Sequence, residues 1–272
     1  MDIVKITEAA RKIRIDTIEM IHKVKSGHPG GALSIADMLA VLYFGEMKID
    51  PENPQWADRD RLVLSKGHAC TSLYAALAER GYFDKEELWT LRQYQSILQG
   101  HPDMKVTPGI DMSSGSLGQG LSVANGMALA AKLQKKSYRV YAILGDGELE
   151  EGQIWEAAMS AAHYQLDNLV AIVDINGLQI NGTTDEVMSV QPIGGKFEMF
   201  GWKVLAVDGH DITALCQALR AAREIKNQPV LLAARTVKGK GVSFMEGQAK
   251  WHSGVLTEAQ YQLAIAELGG NC

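Results

Sequence analysis

Two polar motifs follow neighbouring apolar segments of the chain, and their residue types suit metal and phosphate binding. Asp146 lies in a Gly-Asp-Gly sequence directly after the apolar segment 139–144, and Asn176 comes directly after the segment 168–173. The spacing of 30 residues is about the length of one β-α-β unit. A carboxylate and an amide at the ends of adjacent parallel strands could bind Mg²⁺, and Gly147 would let the backbone approach a phosphate. Alternatively, Asp and Asn simply cap the helices that follow strands.

Four of the seven histidines directly follow a glycine, which is unusual for side chains that pack in a core: His28, His68, His101 and His210. His28 and His101 also precede proline, so that each lies on a stiff turn rather than within a regular helix. Imidazoles titrate near neutrality and therefore suit proton transfer and hydrogen bonds to phosphate. We expect His210 at the start of a helix, and His22 and His163 within helices in structural roles.

These motifs need a framework, and the hydrophobic pattern predicts one. Near-continuous apolar strands are predicted at 61–65, 139–144, 168–173, 202–207 and 230–234. Helices are predicted at 7–25, 34–46, from 68 to about 79, after the loop 115–120, and at 150–164, 211–226 and 256–268. This alternation indicates a doubly wound α/β domain over residues 1–272, with a mostly parallel sheet and helices on both faces. In such sheets ligands bind at the carboxyl ends of the strands, where the motifs fall.

The composition excludes several classes of protein. The 272 residues are 46% hydrophobic and 22% charged, which is typical of globular proteins and unlike disordered or fibrous chains. A net charge of −5 argues against a nucleic-acid partner. No apolar run reaches the ~20 residues of a membrane helix, and the N-terminus lacks a signal-peptide pattern. Cys70, Cys216 and Cys272 are too far apart for a disulfide scaffold or a zinc ribbon, which favours the cytoplasm.

Twenty-seven glycines against seven prolines is a high glycine content, and part of it lies in the loop 115–120. Its Gly-x-x-Gly-x-Gly order, the lack of a preceding strand and Lys135 twenty residues later argue against a dinucleotide fingerprint. No P-loop sequence occurs. Glu148 and Glu150 are interpreted as favourable charge in the first turn of a helix. The segment around Lys238 either touches a phosphate or is a solvated loop.

Taken together, Gly-Asp-Gly and the later Asn resemble the thiamine diphosphate fingerprint, and Asp174-Ile175-Asn176 resembles its transketolase variant. Five further segments resemble transketolase segments, in the same order, over nearly the whole chain: 26–31, 64–69, 100–102, 114–120 and 251–254. The resemblance implies a thiamine diphosphate-binding fold of the diphosphate-binding type.

The resemblance also implies roles for individual residues. Asp146, Asn176 and the carbonyl of Leu178 would bind Mg²⁺, or Ca²⁺ or Mn²⁺ in its place. The implied cofactor-binding residues are His68, Gly115, Ser116, Leu117, Gly145, Asp146, Gly147, Asn176, Leu178 and His252. The implied catalytic residues are His28, His68, His101, His252, Glu151 and Glu156. Of these, His68 and His252 would lie nearer the diphosphate and His28 and His101 nearer the substrate hydroxyls, while the two acids match residues at a subunit interface that link two active sites.

Transketolases have three domains, and the resemblance covers only the first. The family supplies the acid that protonates the aminopyrimidine, and the arginines that bind the sugar phosphate, from the second domain. We therefore expect the N-terminal subunit of a split transketolase in carbohydrate metabolism, such as the pentose phosphate pathway. Its partner would be a C-terminal subunit with the pyrimidine-binding and C-terminal domains, with two copies of each chain. The pair would transfer a two-carbon ketol unit from a ketose phosphate to an aldose phosphate. The tail after the last helix is expected to be a natural stop.

Two alternatives remain at this stage. One is a subunit of another thiamine diphosphate enzyme, either a 2-oxo acid dehydrogenase first component or a deoxyxylulose phosphate synthase-like protein. Such proteins should lack the two Gly-His-Pro steps together with Ser-Lys-Gly-His. The other is a non-catalytic cofactor-binding module, against which the matched histidines argue.

Overall fold

The computed structural model describes residues 2–270 and contains a five-stranded sheet and a short hairpin. The strands are β1 (Arg61–Leu64), β2 (Val140–Gly145), β3 (Leu169–Ile175), β4 (Leu178–Gln179), β5 (Gly182–Thr183), β6 (Lys203–Asp208) and β7 (Val230–Arg235). The α-helices are α1 (Ile3–Val24), α2 (Pro29–Leu33), α3 (Ala36–Val41), α4 (Cys70–Arg80), α5 (Gly120–Leu133), α6 (Gly152–His163), α7 (Thr184–Met188), α8 (Ile193–Met199), α9 (Ile212–Glu224) and α10 (Glu258–Glu267). The large sheet is parallel throughout, in the order β1-β2-β3-β7-β6, while β4 and β5 pair antiparallel.

Helices cover both faces of the sheet, which confirms the predicted doubly wound architecture. Along β2, Tyr141 and Ile143 belong to one core with residues of α1, α3, α4 and α9. Ala142 and Leu144 belong to the opposite core with residues of α5, α6 and α8. Because successive strand residues point to opposite faces, an entirely apolar strand is the sequence that fits between two cores.

The chain changes direction within the sheet after β3. It runs outward from β1 to β3, continues to the edge strand β6 and returns to β7, which pairs with β3 on one side and β6 on the other. Parallel crossovers are right-handed, so the reversal places α9 on the face opposite α5, α6 and α8. Because all strands of this sheet are parallel, the carboxyl ends of β1, β2, β3 and β7 lie at the same edge.

Two features differ from the sequence predictions. The segment 34–46, predicted as one helix, is divided between α3 and a π-helical turn, Leu42–Glu46, with α2 just before it. Ser34 lies between α2 and α3, where its hydroxyl donates to the Gly31 carbonyl at 3.1 Å and to Asp174 Oδ2 at 2.7 Å. The hydrogen bond to Asp174 joins residues 140 positions apart, so the local hydrophobic pattern does not reveal it. The β4–β5 hairpin was not predicted, because strands of two residues carry no hydrophobic pattern.

Within residues 2–270, no helix is long and apolar enough to cross a bilayer. Cys70 and Cys216 are buried and free. Cys272 and the end of the predicted tail lie outside the described residues.

Candidate active site

A cavity of about 260 Å³ lies at the carboxyl ends of the central strands. Its walls come from the segments that follow β1, β2, β3 and β7, together with the turn before α2, the glycine loop and the segment that ends at His252. Ten of the predicted site residues line it: His28, His68, Gly115, Leu117, Gly145, Asp146, Gly147, Asn176, Leu178 and His252. The fold therefore brings together residues that are more than 200 positions apart in sequence.

Asp146 is held by backbone amides of two segments. Its Oδ1 accepts from the amide of Gly147 at 2.9 Å, and its Oδ2 accepts from the amide of Gly177 at 2.6 Å. Burial raises the pKa of Asp146 to about 6, and the nearby carboxylate of Asp174 contributes to that rise. A buried carboxylate next to a second one favours a bound cation, which would offset both effects.

Asp174 is fully buried, and its carboxylate accepts hydrogen bonds from four side chains at the site. Its Oδ2 accepts from Lys66 Nζ at 2.6 Å, from Ser34 and from Asn176 Nδ2 at 3.0 Å, while Thr236 donates to its other oxygen. Burial alone would raise the pKa of Asp174, but the ammonium of Lys66 and these donors hold it below its ordinary value. The ionised Asp174 fixes the amide of Asn176, so that Asn176 Oδ1 is the oxygen left for other partners; it accepts from the amide of Leu178 at 3.1 Å.

The β4 segment and the segment after β7 meet at Lys238. Its Nζ donates to the carbonyl of Leu178 at 2.9 Å and lies 3.2 Å from His252 Nδ1. Lys238 is 3% exposed, so the solvated-loop interpretation is wrong for this residue. Burial lowers the pKa of Lys238 to about 8, and the charge of Lys66 contributes to that shift.

Three imidazoles form a compact group in the cavity. The ring centroid of His68 lies 5.2 Å from that of His28 and 5.1 Å from that of His252, and His28 and His252 are 5.6 Å apart. Burial, assisted by Lys66, lowers the pKa of His68 to about 2. Burial and Lys238 lower the pKa of His252 to about 4, and burial and then Arg92 lower the pKa of His28. All three rings are therefore neutral at pH 7, and the buried Nδ1 of His28 has no hydrogen-bond partner among the described residues.

The remaining predicted residues lie around the cavity without lining it. His101 is exposed, and its ring faces Gly115, where a Cβ would lie 3.6 Å from the imidazole. Ser116 is exposed on the glycine loop. Glu151 lies at the N-cap position of α6 without a capping hydrogen bond from its side chain, and Glu156 lies within the helix, both exposed to solvent.

Glu148 and Glu150 lie in the first turn of a 3₁₀ helix, Gly147–Glu150, as predicted. Glu148 does more than place charge there, because it is 3% exposed and its carboxylate accepts from three donors around the cavity. Glu150 is exposed and accepts from Gln179 at 2.7 Å. Lys66 and Glu148 were not predicted as site residues, and the segment around Lys238 was left open between a phosphate contact and a solvated loop. The sequence signal for Lys66 was its place directly after a predicted strand, in Ser-Lys-Gly-His.

His210 lies outside the cavity, directly before α9 as predicted. Its Nε2 accepts from the amide of Val237 at 2.8 Å, and its Nδ1 lies 2.8 Å from Asp37 Oδ2. Because a backbone N–H can only donate, His210 is the Nδ1-protonated tautomer. It links α9 to α3 and to the segment after β7. His22 and His163 lie in α1 and α6, as predicted.

The donor set suits a hard divalent cation. One carboxylate (Asp146), one amide oxygen (Asn176) and one carbonyl (Leu178) line the same cavity, and the carbonyl already accepts from an ammonium group. No cluster of three His, Cys, Asp or Glu side chains that could hold a metal occurs in residues 2–270. A metal here would therefore need further oxygen ligands, and Mg²⁺ takes these from water and phosphate.

Comparisons with known proteins agree with this geometry. Residues 5–272 match the family described as transketolase, thiamine diphosphate binding domain. The chain is 49% identical to the 6-deoxy-6-sulfo-D-fructose transketolase subunit SqwG of a Clostridium species, and 47% identical to a subunit of the apulose-4-phosphate transketolase of Phocaeicola vulgatus. Each match covers 95% of this chain, and 94% and 92% of the two relatives. The structure resembles that of the Campylobacter jejuni transketolase with a TM-score of 0.94 at 36% identity, covering 100% of this chain and 44% of that one.

Proposed function

We propose, since this chain belongs to the transketolase family, that it is the N-terminal subunit of a two-chain transketolase, with residues 1–272 as its diphosphate-binding domain. Such an enzyme transfers a two-carbon ketol unit from a ketose phosphate to an aldose phosphate. The observation that carries the proposal is the single cavity in which Asp146 and Asn176 lie with three neutral histidines. The lengths support the division into subunits, because the chain spans nearly all of two relatives named as subunits but 44% of an undivided transketolase.

The cavity would hold thiamine diphosphate through Mg²⁺, or through Ca²⁺ or Mn²⁺. Asp146, Asn176 and the Leu178 carbonyl would bind the metal, while Lys66 and Lys238 supply positive charge beside it. Gly145 and Gly147 line the same wall and leave room for phosphate oxygens. When bound, the cofactor supplies the carbanion chemistry of ketol transfer, and the protein supplies position and polarity.

The histidines would bind the substrate and hold protons in the neutral form. Lys238 Nζ donates to His252 Nδ1, which leaves the ring proton of His252 on Nε2. His68 and His28 complete the wall, with a buried nitrogen of His28 still available to a ligand. A neutral imidazole can both accept and donate a hydrogen bond, which suits sugar hydroxyls. His101 would extend this wall beyond Gly115.

The other half of the site would come from the partner. Leu117 is 36% exposed, and Gly115 and Ser116 beside it are also exposed, so the wall assigned to the cofactor rings is open to solvent in this chain. A C-terminal subunit with pyrimidine-binding and C-terminal domains would close it. Glu151 and Glu156 would lie in the interface and link two sites, which requires two copies of each chain.

The substrate class is a sugar with an anionic end group. The two relatives named as subunits carry 6-deoxy-6-sulfo-D-fructose and apulose-4-phosphate in their names, one a sulfonated and one a phosphorylated sugar. We propose a sugar phosphate for this chain. The phosphate-binding arginines would belong to the partner. A cytoplasmic location is part of the same proposal, in line with the buried free thiols of Cys70 and Cys216.

The test is to mix this chain with the product of the adjacent reading frame, as the candidate C-terminal subunit. The mixture, with thiamine diphosphate and Mg²⁺, should convert ketose phosphate donors, and each chain alone should be inactive. A mixture with Asp146→Ala in this chain is the negative control. Ketol transfer by the purified single chain would contradict the two-subunit assignment, and an inactive mixture across a panel of ketose phosphates would contradict the reaction.

A further inference from the structure

Glu148 lies between the two walls of the cavity, and the roles assigned above do not use it. We propose that Glu148 is a positioning residue that fixes the glycine loop, residues 115–120, against the ends of β1 and β2. It would thereby set the separation between the wall for the cofactor rings and the wall for the diphosphate. This inference rests on the proposed function, because it assigns the two walls to the two parts of the cofactor.

Three hydrogen bonds end on this one carboxylate. Glu148 Oε1 accepts from the amide of Gly118 at 2.9 Å and from the hydroxyl of Ser65. Its Oε2 accepts from the amide of Gly145 at 3.0 Å. Gly118 belongs to the glycine loop, Ser65 directly follows β1, and Gly145 ends β2. One side chain therefore joins three separate segments at the rim of the cavity.

Ser65 makes a second hydrogen bond to the same loop. Its hydroxyl gives its proton to Glu148 and accepts from the amide of Gly120 at 3.1 Å, while its own amide donates to the carbonyl of Ile143 at 2.9 Å. Two backbone amides of the loop, those of Gly118 and Gly120, thus donate to the side chains of Glu148 and Ser65, which are hydrogen-bonded to the sheet. Leu117 directly precedes the first tied position and lines the cavity.

Position 118 of the loop requires a glycine. Gly118 has a φ of +84°, in the left-handed region that favours glycine, and a Cβ there would lie 2.6 Å from the Cβ of Glu151. Because glycine has no side chain, the contact at this position must come from the backbone, and the Gly118 amide donates to Glu148. A shift of about 1 Å in a positioning segment can reduce the rate of an enzyme by about 100-fold.

The chemistry of the partners requires a carboxylate. All three groups are donors towards Glu148, and an ionised carboxylate is an acceptor only. A glutamine has the same size but one acceptor oxygen, so its NH₂ group would face a donor and one amide would lose its partner. Burial raises the pKa of Glu148 above its ordinary value, while the hydrogen bonds from Ser65, Gly118 and Gly145, and then the charge of Lys66, oppose that rise by favouring the ionised form.

The test compares Glu148→Gln with Glu150→Gln in the reconstituted enzyme. The two acids lie in the same turn, but Glu150 is exposed, and its carboxylate accepts from the side chain of Gln179 rather than from the glycine loop or the ends of β1 and β2. We expect Glu148→Gln to lower kcat by about 10- to 100-fold, from the loss of a hydrogen bond to a charged group. The Kd for thiamine diphosphate should change by less than about 3-fold, because the groups that bind the diphosphate and metal remain. Glu150→Gln should change neither quantity.

Hydrogen exchange tests the hydrogen bonds of Glu148 directly, without an assay of activity. In this chain alone, the amides of Gly118 and Gly145 should be protected, and Glu148→Gln should speed exchange of at least one of them by about 10-fold or more. Ser65→Ala should do the same for Gly120. Unchanged exchange at Gly118 and Gly145, an unchanged kcat, or a loss in Kd as large as that in kcat would overturn the proposal. If the wild-type mixture has no ketol transfer, the proposed function fails, and the exchange data still decide the role of Glu148.

Discussion

Lys66 and Asp174 form a buried ion pair of 2.6 Å between two strands that are not neighbours. Lys66 follows β1 and Asp174 lies at the end of β3, with β2 between them. The lysine side chain passes beside Gly145 of β2, where a Cβ would lie 3.5 Å from its Cδ. This pair links the end of β1 to the end of β3 across β2, at the edge where Asp146 lies, and it orients Asn176 through the same carboxylate oxygen.

Replacing Lys66 should therefore destabilise the chain strongly. Lys66→Met leaves the Asp174 carboxylate buried without its counter-charge, which costs about 3–5 kcal/mol. Urea unfolding measures this change. Lys132→Met is the matched control, because Lys132 pairs with Asp167 at 2.9 Å near the surface and should contribute less than about 1 kcal/mol. Adding Asp174→Asn to Lys66→Met should recover part of the loss; equal, small losses in the two lysine variants would show that the pair does not fix the strands.

Removing either proposed metal-binding side chain should abolish metal-dependent cofactor binding. Asp146→Ala deletes the carboxylate and Asn176→Ala the amide oxygen, and we expect thiamine diphosphate to bind more than about 100-fold more weakly in the reconstituted complex with Mg²⁺. Calorimetric titration with Mg²⁺ and with a chelator measures the difference. Asp84→Ala, at an exposed position, should bind like the wild type. Wild-type affinity in both site variants would remove the basis of the metal assignment.

Stability should depend on pH through Asp16, far from the cavity in α1. Burial raises the pKa of Asp16 to about 6 although Lys85 lies 2.9 Å away. Between about pH 4 and 6 the folded chain therefore binds more protons at this group than the unfolded chain, so its contribution to the free energy of unfolding falls as pH rises. From pH 4 to 7, the free energy of unfolding of Asp16→Asn should rise relative to that of the wild type by up to about 3 kcal/mol. Urea unfolding at several pH values measures it. Asp84→Asn should follow the wild-type curve, and parallel curves for wild type and Asp16→Asn would refute the assignment.

The cavity histidines should stay neutral in the chain without cofactor. Burial and neighbouring ammonium groups lower the pKa of His68 to about 2 and the pKa of His252 to about 4. Their ring ¹⁵N shifts in NMR spectra should therefore not change between about pH 5.5 and 8, whereas an ordinary histidine titrates near about 6.5. Adding a diphosphate should raise both pKa values, because an anion favours the protonated form. Titration of either ring near its ordinary pKa in the free chain would contradict the burial of this cluster.

Much of the fold and part of the site follow from the sequence. The sequence predicts the strands of the five-stranded sheet because each is an apolar run between helical segments. Their parallel arrangement then predicts that Asp146 and Asn176 lie together at the carboxyl ends of the strands. The burial of Lys66, Glu148 and Lys238 could not be predicted in this way. Each looks like a surface residue, and only tertiary contacts from distant segments provide the partners that allow burial.

The hydrogen bond of Ser34 is another contact that the sequence pattern does not reveal. Ser34 lies between α2 and α3, and its hydroxyl donates to Asp174, 140 positions later. A contact between residues so far apart in the sequence produces no local hydrophobic pattern. Sequence patterns thus located the elements, and the buried polar contacts between them were found only in the structure.

The return of the chain from β6 to β7 has a consequence for biosynthesis. β7 is the last strand of the sheet to leave the ribosome, yet it lies inside the sheet, between β3 and β6. A nascent chain that stops before Val230 therefore has a gap between two strands rather than a missing edge. The sheet, and with it the floor of the cavity, can close only when β7 has been made.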